Sequence, residues 1–286
     1  MARLLKGKEV ADALTGRVIR DVTALKEQGV TPTLCILRVG ERQEDLAYEK
    51  GAMKRAEMTG VAVKHVVLPE DVSQDDFDRA LTEANDDEGV HGILMCLPMP
   101  AHLDSARARE MLKPEKDVDG CTDASLAGVF AGKDEGFPPC TAQAVIEILR
   151  HYGIGLRGKN VVVIGRSLVI GRPVAMLLMH ENATVTICHT QTRDIARIAR
   201  DKDILIAAAG KLRMVTKEFT DQNQVVIDVG INWDDVRGTI AGDVDFDEVE
   251  RIAAAITPVP GGVGGVTSSV LIGHVVMAAK RMTGKE

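Results

Sequence analysis

The stretch VVVIGRSLVIGRP, residues 161–173, reads as a buried strand, a glycine turn and the first turn of a helix. Four consecutive β-branched residues predict a strand covered on both faces, and Pro173 suits the start of a helix. A dinucleotide-binding turn usually has glycine at its first, third and sixth positions; here Gly165 is followed by Ser167 and Ile170 at the other two. Amides at a helix start bind pyrophosphate readily, but any strand-to-helix turn of a parallel sheet can look similar. The stretch alone leaves both interpretations open.

The same alternation of short apolar runs and helical periods continues on both sides of this stretch. Apolar runs bounded by glycine or proline predict strands, and apolar residues spaced three and four apart predict helices. The alternation predicts an α/β fold with parallel sheets covered on both faces. Strands are predicted at 33–39, 61–68, 90–97, 161–164, 183–189, 204–208 and 225–229, and helices at 8–28, 48–59, 75–85, 142–152, 172–180 and 268–282.

The chain length predicts two domains, since 286 residues exceed the usual size of one. Glycine and two prolines cluster in the segment 133–141, where the first half of the pattern ends. We therefore predict a first domain over residues 1–141, rejoined by a C-terminal helix over 268–286. A second domain, with a Rossmann-like nucleotide-binding fold, is predicted over 142–267.

Composition excludes several classes of function. The net charge of −7 argues against a protein that coats nucleic acid. Aromatic residues make up only 3% of the chain, which argues against sites that bind bases or sugars by stacking. Five cysteines are far apart and lack a C-x-x-C pair, which is typical of a reducing compartment and predicts no metal site. No apolar run reaches the ~18 residues of a membrane span, and the first residues lack the apolar region of a signal peptide. We expect a soluble cytoplasmic protein.

The strand after the glycine turn bears on the choice of dinucleotide. Sites that prefer NAD usually have Asp or Glu at the end of this strand, where the carboxylate holds the ribose 2′-hydroxyl. Here the strand ends at His189 and Thr190, and Arg166 lies in the preceding turn. A cation and a hydroxyl suit a 2′-phosphate, so the sequence favours NADP. NAD is kept as the alternative, because Gln191, which follows Thr190, is neutral and adds no positive charge for a 2′-phosphate.

Specific motifs run from one end of the chain to the other. They are LLKGKEVA near the start, GILMCLPMP (92–100), PEKDVDG (114–120), PPCT (138–141), VVVIGRSLVIGRP (161–173), ATVTICHT (183–190), VVIDVGIN (225–232), GDVDF (242–246) and TPVPGGVGGVT (257–267). Together they resemble the methylenetetrahydrofolate dehydrogenase / methenyltetrahydrofolate cyclohydrolase family. The resemblance implies a folate domain, an NAD(P) domain, an active-site cleft between them and a homodimer.

The resemblance also implies an activity and a set of site residues. The expected reaction transfers a hydride from the carbon that bridges two folate nitrogens to a nicotinamide ring. Tyr48 matches the tyrosine that lies along the folate, and Asp119 the carboxylate that binds the pterin. The remaining substrate residues implied are Leu97, Pro98, Pro258 and Gly262. The nucleotide residues implied are Thr141, Gly165, Arg166, Ser167, Ile170, Gly171, His189, Thr190, Ala209, Gly210, Val229, Gly230, Ile231 and Thr267.

Two positions depart from the family pattern, and both belong to the hydrolytic half of its chemistry. The family has lysine four residues after the tyrosine, whereas this chain has Ala52. The family glutamine that touches that lysine is replaced by Cys96. Lys50 and Lys54 stand two residues from Ala52, about 200° around a helix, and are expected in solvent. We therefore expect a dehydrogenase whose cyclohydrolase activity is lost or weakened.

Four other interpretations remain. A bifunctional enzyme requires Lys50 or Lys54 to reach the site through a late start of the helix or a distortion at Gly51. A folate-binding protein with a decayed site is disfavoured because Tyr48, Asp119 and the glycine loop are intact. Cys96 as a nucleophile is disfavoured because a strand cysteine is most often a small core residue. A hydroxy-acid dehydrogenase is disfavoured because the sequence shows no His/Asp pair that could serve as its acid–base couple.

Overall fold

The computed structural model describes residues 1–285, and the predicted α/β fold with parallel sheets is confirmed. The strands are β1 (Arg3–Leu4), β2 (Thr33–Val39), β3 (Ala62–Leu68), β4 (Gly92–Met95), β5 (Asn160–Ile164), β6 (Thr184–Cys188), β7 (Ile204–Ala207), β8 (Val225–Asp228), β9 (Asn232–Asp234), β10 (Thr239–Ala241) and β11 (Ala255–Ile256). The helices are α1 (Gly7–Glu27), α2 (Gln43–Thr59), α3 (Gln74–Asp86), α4 (Ser105–Met111), α5 (Asp123–Ala131), α6 (Cys140–His151), α7 (Gly171–His180), α8 (Ile195–Arg200), α9 (Phe246–Val249) and α10 (Gly264–Thr283).

The described residues form two compact units. One unit contains residues 1–11 and 141–267, and we call it the six-stranded unit after its sheet. The other contains residues 12–140 and the C-terminal segment from Ser268, and we call it the three-stranded unit. The two divisions near residue 11 and residue 140 fall inside or at the start of helices α1 and α6.

The six-stranded unit has a parallel sheet in the order β1-β11-β8-β7-β5-β6. The residues of β7 are all buried, as are Val161 to Ile164 of β5, because both strands are central and consist almost entirely of branched apolar side chains. β9 and β10 form a separate antiparallel ribbon. The order places the ends of β5, β6, β7 and β8 side by side at the carboxyl edge of the sheet.

The three-stranded unit has a parallel sheet in the order β3-β2-β4. Alternate residues of β2 and β4 pack with helices α3 and α4 in one apolar core, which contains Cys35, Leu37, Phe77, Leu81 and Ile93. The residues of β2 that alternate with these point to the opposite face of the sheet. Arg38 belongs to that second face and lies at the carboxyl end of β2.

Several predicted boundaries were wrong. The predicted strand 90–97 is paired only over Gly92–Met95. The amide of Cys96 adds one hydrogen bond to Leu37 O at 3.0 Å, and Pro98, which has no amide hydrogen, cannot continue the pairing. α2 starts at Gln43 and not at Tyr48, since Arg42 is extended and its carbonyl already accepts the amide of Leu46.

The C-terminal helix also begins earlier than predicted, at Gly264, so the two glycines that follow the loop belong to a helix. Strands β1, β9, β10 and β11 and helices α4, α5, α8 and α9 were not predicted. These elements are two to nine residues long, too short to show a reliable period.

Candidate active site

Tyr48 and Asp119 are hydrogen-bonded to each other. Tyr48 lies on the inner face of α2, and its hydroxyl donates to Asp119 Oδ1 at 2.8 Å. Both side chains are partly exposed. The sequence predicted both residues at the site through the family resemblance, and the structure brings them together from positions 71 residues apart.

The turn that carries Asp119 is held by buried groups. Asp117 is fully buried and accepts the amides of Cys121 and Thr122 at 3.0 and 2.8 Å and the hydroxyl of Ser125 at 2.7 Å. Lys116 is also buried and donates to carbonyl oxygens at the end of α3. These bonds fix the backbone of the PEKDVDG motif and so aim Asp119.

Burial keeps the Tyr48 hydroxyl protonated and brings the pKa of Asp119 closer to neutral pH. Desolvation raises the pKa of Asp119 to about 6, against the opposing effect of its hydrogen bonds with Tyr48 and Cys140. Desolvation, followed by the nearby Asp119 charge, raises the pKa of Tyr48 well above its usual value. At neutral pH the pair is therefore a phenol donor and a carboxylate acceptor, which suits the amine edge of a heterocycle.

Cys140 and His274 support this pair, and the sequence had not singled out either of them. The Cys140 thiol donates to Val118 O at 3.2 Å, and His274 Nδ1 lies 2.8 Å from the same oxygen. Both residues are buried, and burial raises the pKa of the Cys140 thiol well above its usual value. The PPCT motif contains Cys140, but only the fold shows what it contacts.

Ala52 lies on the same buried face of α2 as Tyr48, and its exposure is 0%. α2 is continuous across Gly51, so the helix is neither late nor distorted there. Lys50 and Lys54 are exposed and line a shallow surface groove on the outer side of the helix. The expectation that these two lysines point into solvent agrees with their placement.

Cys96 lies at the end of β4, 7% exposed, and burial raises its pKa to about 12. A thiol that stays protonated at neutral pH is a poor nucleophile. Charged residues occupy this part of the unit: the Arg38 guanidinium pairs with Glu49 at 2.7 Å, and Asp45 is 6% exposed. The carboxylate of Asp45 has Arg42 at 4.0 Å as its ion-pair partner.

The two remaining predicted substrate residues of this unit follow Cys96. Leu97 and Pro98 form the loop after β4, and Arg42 Nη1 donates to Pro98 O at 2.6 Å. This bond ties the loop to the start of α2, the helix that carries Tyr48. The loop, the helix and the Asp119 turn are thus linked to one another by direct hydrogen bonds within the three-stranded unit.

The glycine turn after β5 requires glycine at its first position, although its glycine pattern is incomplete. Gly165 has φ 132°, and a Cβ there would lie 2.1 Å from Ala208 O, so the position requires glycine. Ser167 takes the place of the missing second glycine, and its hydroxyl accepts the amide of Ile170 at 3.1 Å. Arg166 and Ser167 are exposed ahead of the first turn of α7.

Eight of the other predicted nucleotide residues lie at the same edge of the six-stranded sheet. They follow β6 (His189, Thr190), β7 (Ala209, Gly210) and β8 (Val229, Gly230, Ile231), and Gly171 begins α7. Pro258 and Gly262 line a cavity of about 150 Å³ together with Val229 to Ile231. Thr141 lies in the first turn of α6 and Thr267 in the first turn of α10. The carboxyl edge of a parallel sheet is where such folds bind dinucleotides.

The chemistry of this edge fits a nicotinamide dinucleotide. α7 presents its first amides beyond the Gly165 turn, and no carboxylate stands at the end of β6, where His189 and Thr190 are found.

Within residues 1–285, no group of three or more His, Cys, Asp or Glu side chains is arranged to hold a metal ion. None of the helices over the same residues has the length and apolar character needed to cross a membrane.

Two family models match the chain. The catalytic domain of tetrahydrofolate dehydrogenase/cyclohydrolase matches residues 5–119, and the NAD(P)-binding domain of the same family matches residues 139–283. A relative named Bifunctional protein FolD, from Carboxydothermus hydrogenoformans, is 49% identical over 285 residues, or 99% of each chain. A relative of the same name from Alkaliphilus oremlandii is 48% identical over 280 residues, or 98% of each chain.

Solved structures agree with these matches. The bifunctional FolD methylenetetrahydrofolate dehydrogenase/cyclohydrolase of Campylobacter jejuni has a TM-score of 0.95 at 35% identity, covering 98% of this chain and 99% of that one. The dehydrogenase-cyclohydrolase of Trypanosoma brucei, solved with NADP and an inhibitor, has a TM-score of 0.92 at 38% identity, covering 99% and 98%. The resemblance read from the motifs is confirmed: the chain belongs to the tetrahydrofolate dehydrogenase/cyclohydrolase family.

Proposed function

We propose that the chain oxidises 5,10-methylenetetrahydrofolate to 5,10-methenyltetrahydrofolate with NADP as hydride acceptor, and that hydrolysis of the methenyl product is lost or weakened. One observation carries the proposal. The Tyr48–Asp119 pair is intact, while the same buried face of α2 has the methyl group of Ala52 where the family has an ammonium. The groups that hold folate are present, and the group that serves hydrolysis is absent.

The oxidation demands little acid–base chemistry of the protein. A nitrogen lone pair of the substrate would expel the hydride, and the nicotinamide, when bound, would supply the hydride acceptor. Asp119 accepts hydrogen bonds from the pterin amine edge, and Tyr48, which keeps its proton, lies along the ring and holds Asp119 in place. The main contributions are positioning and tolerance of the positive charge that develops on the substrate.

Hydrolysis needs more, because water must add to the methenyl carbon and protons must move. The alanine side chain at position 52 cannot transfer a proton. Cys96, with a pKa of about 12, keeps its proton at neutral pH. General acid–base groups contribute about 10²–10⁴-fold to such reactions, so a loss of that order is expected. Lys50 and Lys54 do not compensate in this proposal, since both are exposed on the outer side of α2.

The alternative is a bifunctional enzyme that also makes 10-formyltetrahydrofolate. It has two supports: relatives at 48–49% identity carry the name Bifunctional protein FolD, and Asp45 is a buried carboxyl on the inner face of α2. Burial is the largest influence on Asp45 and raises its pKa. In this alternative Asp45, three residues before Tyr48 and therefore on a neighbouring part of that face, accepts the proton of the attacking water.

A single assay separates these functions. The purified protein is mixed with methylenetetrahydrofolate and either NADP or NAD, and reduced nicotinamide and methenyl product are followed together. The proposal predicts that both signals rise in parallel, faster with NADP, and that the methenyl species persists. Methenyl consumption well above the spontaneous rate, abolished by Asp45→Asn, supports the bifunctional alternative. Folate binding without any reduced nicotinamide would indicate a folate-binding protein.

The NADP preference is proposed from the end of β6. Arg166 is exposed in the Gly165 turn, and His189 and Thr190 stand where an NAD site usually has a carboxylate. The structure of the Trypanosoma brucei relative contains NADP. A higher kcat/KM with NAD than with NADP in the assay above would contradict this part of the proposal.

We also propose a homodimer, formed through the β9–β10 ribbon. This ribbon exposes Trp233 (62%), Val236 (94%) and Ile240 (42%), and clustered exposed apolar side chains mark protein interfaces. Replacing Trp233 with glutamate is expected to shift the protein from dimer to monomer in sedimentation, with at least a tenfold weaker association. Phe130→Glu, at an exposed residue of α5, is the matched control and should leave the dimer intact. A parent that sediments as a monomer would exclude the homodimer.

Two further predictions belong to the same proposal. The domain division at residues 1–141 with 268–286, and 142–267, is proposed as the functional division into a folate domain and a nucleotide domain. A cytoplasmic location is proposed because the five cysteines, Cys35, Cys96, Cys121, Cys140 and Cys188, are all unpaired, as in proteins of reducing compartments.

A further inference from the structure

Two buried aspartates, Asp228 and Asp243, join the loops at the carboxyl edge of the six-stranded sheet. Asp228 ends β8, and Asp243 follows β10. Their exposures are 3% and 0%. Neither belongs to the set of residues expected to touch folate or nucleotide, although they lie in VVIDVGIN and GDVDF, two of the motifs on which the family resemblance rests.

Asp243 accepts hydrogen bonds from four donors in two other segments. Its Oδ2 atom accepts the amides of Ala209 and Gly210 at 2.6 and 2.9 Å. Its Oδ1 atom accepts the amide of Lys211 at 2.8 Å and the Asn232 side-chain amide at 2.9 Å. Three consecutive amides of the loop after β7 therefore point at one carboxylate.

Asp228 connects Asp243 to the loop after β8. Its Oδ1 atom accepts the amides of Gly230 and Asp243, each at 3.0 Å, and its Oδ2 atom accepts the amide of Val244 at 3.0 Å. The contact is close enough that a Cβ on Gly242 would lie 1.8 Å from Asp228 Oδ2. The loops after β7 and β8 are thus held in one register through the two carboxylates.

We infer that Asp243 is a positioning residue for the nicotinamide nucleotide: it sets the placement of the β7 loop against the β8 loop, and through them the shape of the nucleotide site at the carboxyl edge of the sheet. The inference rests on the proposed function, in which Ala209, Gly210, Val229 and Gly230 contact the nucleotide. Without Asp243, the three amides of the β7 loop would have no acceptor and would turn toward water, so the nucleotide site would lose its shape.

The chemistry of the donors makes the carboxylate necessary. All four partners of Asp243 are N–H donors, and a carboxylate is a side chain that only accepts. An asparagine at this position keeps the size of the side chain but must direct an NH₂ group at two of the four donors. Asp243→Asn is therefore expected to disturb the pocket nearly as much as Asp243→Ala.

Asp234 provides a matched control. It is also buried, with 1% exposure, but it pairs with Arg213 and accepts the amides of Val236 and Arg237 in the β9–β10 ribbon. Asp234→Asn removes a buried carboxylate from the same unit but leaves the acceptor of the Ala209, Gly210 and Lys211 amides in place. A loss that both variants share would be a general loss of stability and would overturn the inference.

The test compares NADPH binding by fluorescence, the KM for NADP and kcat, the affinity for folate, and thermal unfolding. Asp243→Asn should raise the Kd for NADPH and the KM for NADP at least tenfold, change the affinity for folate less than twofold, and exceed Asp234→Asn in both nucleotide effects. Should Asp243→Asn fail to fold, Asn232→Ala, which removes one donor, should raise the Kd for NADPH about fivefold.

Three outcomes overturn the inference. One is a folded Asp243→Asn variant whose Kd for NADPH stays within twofold of the parent value. Another is unchanged binding by Asn232→Ala when Asp243→Asn does not fold. The third is a parent protein that binds no nicotinamide nucleotide; this failure belongs to the proposed function, and it is visible before any variant is made.

Discussion

Replacing Ala52 with lysine and Cys96 with glutamine is expected to raise the hydrolysis of methenyltetrahydrofolate about 10²-fold or more. The lysine would extend from the inner face of α2 back toward Tyr48, because helical side chains lean toward the helix start. Asp45 and Glu49 lie on the same side of the helix and would offset part of the cost of burying an ammonium. The measurement is the decay of methenyl absorbance above the spontaneous rate.

The control for this variant places the same charge on the other side of the helix. Met53→Lys combined with Cys96→Gln adds a lysine at a position that is 42% exposed and next to Lys54, and it should not hydrolyse the methenyl product. Oxidation of methylenetetrahydrofolate by each variant shows that the fold is preserved. If the Ala52→Lys variant is folded and its hydrolysis equals that of the parent, the explanation from the missing lysine is wrong.

Asp119→Asn is expected to lower the kcat/KM of the oxidation about 10²-fold. An asparagine keeps one acceptor for the Tyr48 hydroxyl but offers the pterin amine edge a neutral group, and a hydrogen bond to a charged group is worth about 1.5–3 kcal/mol. The parent rate should fall as the pH decreases through about 6, where Asp119 takes up a proton, and the variant should lack this dependence. Steady-state rates between pH 5 and 8 provide the measurement.

Stability distinguishes a lost contact from a damaged fold in this variant. The pKa of Asp119 is about 6 in the folded protein and ~3.9 in an unfolded chain, so its ionisation lowers stability as the pH rises through about 6. Asp119→Asn should therefore unfold at no lower a temperature than the parent at pH 8. Asp123→Asn, at an exposed residue nearby, should change neither rate nor stability. A markedly lower unfolding temperature for Asp119→Asn would mean that its lost activity reports misfolding.

The charges near Ala52 give the proposed loss of hydrolysis a physical reason. Oxidation produces a cation, and a lysine ammonium beside it would oppose the developing charge while serving the later attack of water. This chain has Asp45 and the Arg38–Glu49 pair in that part of the unit. A site without the ammonium favours release of the methenyl product as such, which is the outcome of the proposed function.

The α/β class, the order of the long elements and the family could all be predicted from the order of the amino acids. The period of apolar residues is a local property, so β2 was predicted with its observed bounds, Thr33–Val39, and α7 to within one residue of Gly171–His180. The incomplete glycine pattern at Gly165 left the dinucleotide site open until the motifs along the whole chain were taken together.

Features that depend on contacts between distant residues became visible only in the folded chain. β1 is two residues long and is a strand only because β11 pairs with it, more than 250 residues later. The Tyr48–Asp119 bond, the support from Cys140 and His274, and the four donors of Asp243 join residues separated by 11 to 156 positions. A local pattern carries no information on such contacts, because their energy comes from burial and hydrogen bonds formed only when the chain is folded.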